Sequence, residues 1–366
     1  MRVVAADGAT LERESMTIAI TGNTRGKAVA IDKARSGRSV GHSAVLGDIT
    51  AVNMTSGIDA LFLLGDVVAN STPGQWEAFG SRHAAVIDGT VAPPSAVKRV
   101  PVLPVVGDRD CVKEPSCASI AKVFPGFGVE IGFGRVATWH HMDLRIGNKM
   151  EWRVVVVDSN KKGLGSRWFE QLSWLKEVVA TPGSGLLVLM HEGPLSLGRD
   201  AKNSGPQELL DVINEHAPLL SVRAVFSAGR INNQAFLPEG ALGPLHVVAG
   251  GGGAPGEDLE RGLLEGTEDL RLLGSVDRGV DAMVDGHLFN PTPPDQKAID
   301  EALGTGTFKG YPRRVDAGVF PLHGWWKLHL AEGILEAELR IQRGDGTIGK
   351  AASVRWTEAS GWIEES

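Results

Sequence analysis

Val102-Leu103-Pro104-Val105-Val106-Gly107-Asp108-Arg109-Asp110 is a short apolar run that breaks into a glycine and then into charge. Apolar runs of roughly four to six residues without alternation read as strands buried on both faces, as inside layered α/β sheets. The same phrase recurs along the chain. Met16–Thr21 leads into Gly22-Asn23-Thr24-Arg25-Gly26, and Leu61–Leu64 into Gly65-Asp66. Leu186–Met190 leads into His191-Glu192-Gly193-Pro194, and Val222–Ser227 into Ala228-Gly229-Arg230-Ile231-Asn232. In α/β sheets the ligand crevice lies outside the carboxyl ends of the strands, so these five turns are expected to meet in one cleft. The candidate cleft residues are Asn23, Arg25, Asp66, Asp108, Arg109, Asp110, His191, Arg230 and Asn232.

Further apolar runs at Arg153–Val157 and His246–Ala249 alternate with helical patterns. Trp168, Leu172, Leu175 and Val179 stand at helical spacing, with Pro182-Gly183 as the stop; Gln207–His216 puts Leu209, Leu210 and Ile213 on one side and ends before Pro218. Strand-helix alternation predicts a layered α/β core. Val319–Leu322, Trp325–Leu330 and Ile334–Ile341 instead alternate polar with apolar, and Gly344-Asp345-Gly346 marks a turn, so the tail is expected to add antiparallel strands. The organisation expected is an N-terminal extension at 1–15, a core at 16–253, a charged Pro/Gly-rich insertion at 254–316 and strands at 317–366 that complete the core. The insertion, with a short helix expected at Pro294–Leu303, reads either as a solvated excursion or as a partner-binding or lid element.

Composition narrows the function classes. The 366 residues are 42% hydrophobic, which excludes a disordered chain, and 37 Lys plus Arg against 44 Asp plus Glu give a net charge of −7, with no electrostatic footprint for nucleic acid. No apolar stretch approaches the roughly 18 to 20 residues of a membrane span. The N-terminal stretch has no signal-peptide core, so a cytoplasmic location is expected for a full-length chain and an extracytoplasmic one if a leader has been removed. Cys111 and Cys117 have the wrong spacing for a zinc knuckle and read as two thiols or as one local disulfide. Gly37–Gly41 spells G-x-S-x-G without the preceding strand, and Gly251, Gly253 and Gly256 spell G-x-G-x-x-G with Pro255 inside the turn; both are set aside. His140-His141 reads as structural.

The order of the five turns resembles that of the calcineurin-like metallophosphoesterases, including the purple acid phosphatase branch. That order is GD-x-H or GD-x-G, then GD, then GNH(D/E), then a strand ending in His, then GHxH before a glycine-rich strand end. Val154–Ser159 (VVVVDS), the Gln171-Leu172-Ser173-Trp174-Leu175 helix and Val248–Gly253 agree as landmarks. The resemblance implies a four-layer α/β/β/α sandwich with two packed mixed sheets. It also implies a centre in which two divalent ions about 3.5–4 Å apart activate the attacking water.

The departures from that pattern are specific. Asn23 stands where the first metal-binding Asp is expected, and Arg25 takes the next ligand's place. Asp108 replaces the metal-binding Asn, Arg109 replaces the catalytic His, and Gly229-Arg230-Ile231-Asn232 replaces GHxH. Asp66, the usual bridging ligand, and His191 survive. Arginine has no lone pair to give a metal, so Arg25, Arg109 and Arg230 facing Asp66, Asp108 and Asp110 are expected to form an ion network in place of the bimetal centre. The resemblance thus implies a degenerate, catalytically inactive member that binds a protein partner through 254–316 and needs no cofactor. Two alternatives stand beside it: a phosphoesterase using Zn, Mn or Fe on a reduced site of Asp66, Asp108, Asp110 and His191, and a metal-free receptor for a small phosphate or carboxylate anion in the cleft.

Overall fold

The apolar runs become strands whose two faces are buried against different partners. The computed structural model describes residues 14–24, 42–87, 100–114, 117–124, 138–146, 150–180, 184–193, 207–218, 221–229, 233–238, 243–252, 315–320, 323–342 and 347–365. Along the chain β1 (Ser15–Thr21), α1 (His42–Ser56), β2 (Ala60–Leu64), α2 (Pro73–Ile87), β3 (Val102–Val105) and α3 (Ala118–Val123) form the first half of the core. Then come β4 (His140–Ile146), β5 (Met150–Val156), α4 (Lys161–Leu164), α5 (Arg167–Val179), β6 (Ser184–Leu189), α6 (Gln207–His216), β7 (Val222–Ser227), β8 (Asn233–Pro238) and β9 (Leu245–Ala249). The C-terminal part supplies β10 (Val315–Phe320), β11 (Gly324–Ala331), β12 (Ile334–Gln342), β13 (Ile348–Thr357) and β14 (Gly361–Glu365).

Two seven-stranded sheets result, ordered β14-β13-β12-β11-β1-β2-β3 and β10-β8-β9-β7-β6-β5-β4. Both are mixed: β1, β2 and β3 run parallel while β11 pairs antiparallel with β1, and β5, β6, β7 and β9 run parallel between antiparallel edges. Alternate residues of one strand point to opposite faces, and the packing follows. Ile18, Ile20, Phe62 and Leu64 enter one cluster with Trp152, Leu187, Phe226 and Trp326, which fills the space between the sheets. Ala19, Leu61 and Leu63 face the other way, onto Val45 and Ile49 of α1 and Trp76 of α2. Val155, Val188 and Val225 do the same for the second sheet, against Trp168 and Leu175 of α5 and Leu209 of α6. The architecture is the expected α/β/β/α sandwich.

The antiparallel strands of the tail divide between the two sheets. β10 pairs with β8 at the edge of the second sheet, and its first residues, Val315 and Asp316, fall inside the stretch read as insertion. β11 to β14 extend the first sheet from β1. Helix α1, helix α2 and strand β8 were not anticipated. The helix at Pro294–Leu303, the G-x-S-x-G at Gly37–Gly41 and nearly all of 254–316 lie outside the described residues. His140 and His141 lie on β4, an edge strand, with the His141 ring 6.1 Å from that of Trp174.

His246, on β9 inside the second sheet, is 7% exposed, and burial lowers its pKa from 6.5 to about 4. The folded chain therefore holds this imidazole neutral at pH values where the unfolded chain protonates it. The stability this provides is complete above about pH 6.5 and is lost as pH falls from there through about 4, at ~1.4 kcal/mol per unit of pKa difference. In urea unfolding at stepped pH, the stability difference between the wild-type chain and His246→Met is expected to shift against the wild type over that window. A difference that stays constant with pH would contradict this assignment.

Candidate functional site

The carboxyl ends of β1, β2, β3, β6 and β7 meet at one edge, tied together by backbone contacts. The Asn23 N–H donates to the Gly65 carbonyl at 3.0 Å, and the Asn23 side-chain amide donates to the Ala228 carbonyl. The Ala228 N–H donates to the His191 carbonyl at 2.8 Å. The glycines of the two Gly-Asp turns are required by this closeness. Gly65 has φ +81°, and a Cβ there would lie 2.7 Å from Gly107 Cα; a Cβ on Gly107 would lie 2.8 Å from Asp66 Oδ1. Asn23 and Asp66 themselves adopt φ of 53° and 52°, a region that non-glycine residues seldom occupy and that recurs at functional sites.

Asp66 is the centre of the cluster. It is 3% exposed, with Oδ1 3.5 Å from His191 Nε2. His191 Nδ1 lies 2.8 Å from the Leu64 carbonyl, which can only accept, so Nδ1 carries a proton and Nε2 faces the carboxylates. Asp108 Oδ1 is 3.7 Å from the same Nε2, and Asp108 is half exposed. Ligand atoms of Asp66, Asp108 and His191 all lie within 4.8 Å of one another, and the three could hold a metal ion.

Arg109 sits on the same carboxylate. Its Nε is 3.3 Å from Asp66 Oδ2, and its backbone N–H donates to Asp66 Oδ1 at 3.3 Å. The guanidinium is half exposed, so the pair contributes little to stability, at most ~1 kcal/mol. Its consequence is chemical: both oxygens of Asp66 already face donors.

Among the described residues, Asp110, which the sequence reading placed in an arginine network, is held by backbone donors. Its Oδ1 accepts the N–H groups of Val67 at 2.9 Å and Val68 at 3.2 Å, and its Oδ2 accepts that of Gly107 at 2.9 Å. It braces the two Gly-Asp turns against each other. Burial and the neighbouring Asp66 push its pKa up to about 7, against the pull of the N–H donors. Arg25, Arg230 and Asn232 lie outside the described residues, so the ion network is represented there by the Arg109–Asp66 pair.

Sequence reasoning missed a second polar group beside the cleft. Asp158, just after β5, is 3% exposed and accepts from Thr138 Oγ1 at 2.6 Å and from the Asn160 N–H at 2.9 Å. Burial raises its pKa to about 6. Gln171 of α5 clamps its backbone, accepting the Asp158 N–H at 2.7 Å and donating to the Asp158 carbonyl at 2.9 Å. The signal was present in the VVVVDS and Gln171 landmarks, which the structure joins into one latch. Cys111 and Cys117, left open by their spacing, are joined in a disulfide immediately after the Gly107–Asp110 turn.

No protein-family model matches the sequence, and no curated protein matches it. Solved structures do match. Purple acid phosphatase PPD1 from yellow lupin (Lupinus luteus) seeds is 16% identical with a TM-score of 0.56, across 94% of this chain and 54% of that one. PhoD is 10% identical with a TM-score of 0.55, across 98% of this chain and 72% of that one. The chain has the metallophosphoesterase fold. GAP50, described as the anchor in the inner membrane complex of Plasmodium, is 10% identical with a TM-score of 0.54, across 93% of this chain and 89% of that one. The chain spans about half the length of the lupin protein.

Proteins of this fold commonly hold divalent metals, and the described residues supply one such ligand group. Asp66, Asp108 and His191 form one ligand group with a prepared imidazole. Asn23, at the expected place of an Asp ligand of the other ion, brings a neutral amide in place of a carboxylate; its NH₂ donates to the Ala228 carbonyl, and its one atom able to ligate a metal is Oδ1. Arg109 brings a positive charge to the carboxylate that would bridge the two ions.

Proposed function

We propose that this metallophosphoesterase-fold chain is a degenerate member that works as a binding or structural component and not as a two-metal phosphatase. The observation that carries the reading is the ion pair of Arg109 with Asp66. By the family resemblance, Arg109 occupies the catalytic His position and Asp66 the bridging-ligand position. A guanidinium cannot accept a proton at working pH or ligate a metal. GAP50, a protein of similar fold described as an anchor, agrees with a non-hydrolytic use of the fold. The segment 254–316 is the proposed partner-binding element.

Hydrolysis of p-nitrophenyl phosphate and bis(p-nitrophenyl) phosphate, measured with added Zn, Mn or Fe, is expected to stay at the rate of the metal-containing buffer. Metal-dependent turnover that disappears in Asp66→Ala would overturn the proposal.

The Asp66, Asp108 and His191 group favours a second reading, a phosphoesterase working on one divalent cation. A bound ion would polarise the phosphoryl oxygen and lower the pKa of a bound water. The chain would hold the imidazole by the Leu64 carbonyl and present Arg109 to the phosphoryl charge. The same assay separates the two readings.

A further inference from the structure

His191 follows β6, and hydrogen bonds tie the backbone around it to the strand ends on either side. Toward β7, the Met190 N–H donates to the Phe226 carbonyl at 3.0 Å, and the Ala228 N–H donates to the His191 carbonyl at 2.8 Å. Toward β5, the Val157 N–H donates to the Leu189 carbonyl at 3.0 Å, and the Glu192 N–H donates to Ser159 Oγ at 2.8 Å. Every group in this set is backbone except the Ser159 hydroxyl.

That one side-chain contact falls on the peptide that follows His191, which sets the direction in which the chain leaves β6. The ring then crosses to the other sheet, where Nδ1 donates to the Leu64 carbonyl at 2.8 Å, and brings Nε2 to 3.5 Å from Asp66 Oδ1 and 3.7 Å from Asp108 Oδ1. A displacement of ~1 Å away from Leu64 would end the Nδ1 hydrogen bond. Ser159 is itself fixed. It is 3% exposed and follows Asp158, whose backbone N–H and carbonyl are both held by the buried Gln171, at 2.7 and 2.9 Å. The Lys161 N–H donates to the Ser159 carbonyl at 3.0 Å. Packing alone does not call for a hydroxyl here, since alanine fills nearly the same space without the cost of burying a polar group.

We propose that Ser159 is a positioning residue for the cation group. By accepting the Glu192 N–H, its hydroxyl fixes the His191 backbone so that the ring keeps Nδ1 on the Leu64 carbonyl and Nε2 toward Asp66 and Asp108. The consequence for cation binding rests on the one-cation reading above; the consequence for the ring does not.

The test uses the 366-residue chain with isotope-labelled histidine rings, observed by NMR in EDTA, with the His191 resonance identified by its loss in His191→Gln. Exchange of the His191 Nδ1 proton with solvent is expected to be about tenfold faster in Ser159→Ala than in the wild-type chain, the mark of a loosened hydrogen bond. Ile213→Val, which trims a buried side chain of α6 and touches none of these hydrogen bonds, controls for a general loss of stability and is expected to leave that exchange unchanged. Mn titration, without EDTA, is expected to show about tenfold weaker binding in Ser159→Ala, the effect of losing a group that orients a ligand, and wild-type affinity in Ile213→Val. Residue-resolved backbone exchange of the wild-type chain needs no variant, and the Glu192 N–H is expected to be protected.

The proposal is overturned by unchanged Nδ1 exchange in Ser159→Ala, by an equal change in Ile213→Val, or by a Glu192 N–H that exchanges as fast as an open amide. Mn binding that is equally tight in the wild-type chain and Ser159→Ala overturns it too. A wild-type chain that binds no Mn removes the one-cation reading, and the ring measurement then decides the role of Ser159 by itself.

Discussion

Arg109→Ala is expected to bind a divalent cation at Asp66, Asp108 and His191 about tenfold more tightly than the wild-type chain, or better. The guanidinium lies 3.3 Å from Asp66 Oδ2, beside the space an ion would enter between Asp66 and His191. In water two unit charges about 4 Å apart interact by ~1 kcal/mol, so a divalent ion next to a guanidinium is repelled by ~2 kcal/mol even without help from burial. Each ~1.4 kcal/mol is a factor of ten in affinity. Asp66 must also release Arg109 before it can ligate, which adds to the effect. Titration with Mn or Zn checks this, and Asp66→Ala in the same background is expected to abolish the binding. Equal affinities of the wild-type chain and Arg109→Ala would show that the pair does not block the site.

Trp326→Ala is expected to cost ~3–5 kcal/mol of folding stability, the range for deleting a fully buried large aromatic. Trp326 is 0% exposed and lies opposite Ile20 in the β1–β11 pairing, inside the cluster between the two sheets. β11 is also the strand through which β12, β13 and β14 join the parallel strands, so the void opens where the two parts of the first sheet meet. Against a total stability of ~5–15 kcal/mol this is a large fraction. Urea unfolding followed by fluorescence and circular dichroism measures it, with Ile363→Ala, 44% exposed, as a surface control expected within ~0.5 kcal/mol of the wild type. A Trp326→Ala loss below ~1 kcal/mol would mean that the two sheets do not share the core described.

Much of the sandwich was legible because its strands are apolar runs ended by glycine, a local signal. Val222–Ser227 and Gln207–His216 were bounded by breakers and read correctly at both ends. Helix α1 was hidden although Val45, Leu46, Ile49 and Val52 are buried at helical spacing, because Gly47, Thr50, Asn53 and Thr55 between them favour other conformations. β8 was hidden because Asn233 and Gln234 are polar yet 0% exposed. The alternation of the tail was plain, but no local pattern says that β10 pairs with β8 while β11 pairs with β1.

The candidate site was legible by position and not by partner. Asp66, Asp108 and His191 follow strand ends, and the fold's geometry brings them together. Charge counting suggested that every nearby Asp meets an Arg, whereas Asp110 is satisfied by three backbone N–H groups of its own and the adjacent turn. Counting charges registers residues but not backbone donors, and at a convergence of turns the donors are abundant.

The metal content of the 366-residue chain tests the account most directly: saturation with Zn, Mn or Fe, desalting, and elemental analysis per chain. The arrangement of Asn23, Asp66, Arg109 and His191 predicts at most one ion, absent from Asp66→Ala. Two ions per chain, retained through desalting, would contradict it and restore a bimetal centre to this fold.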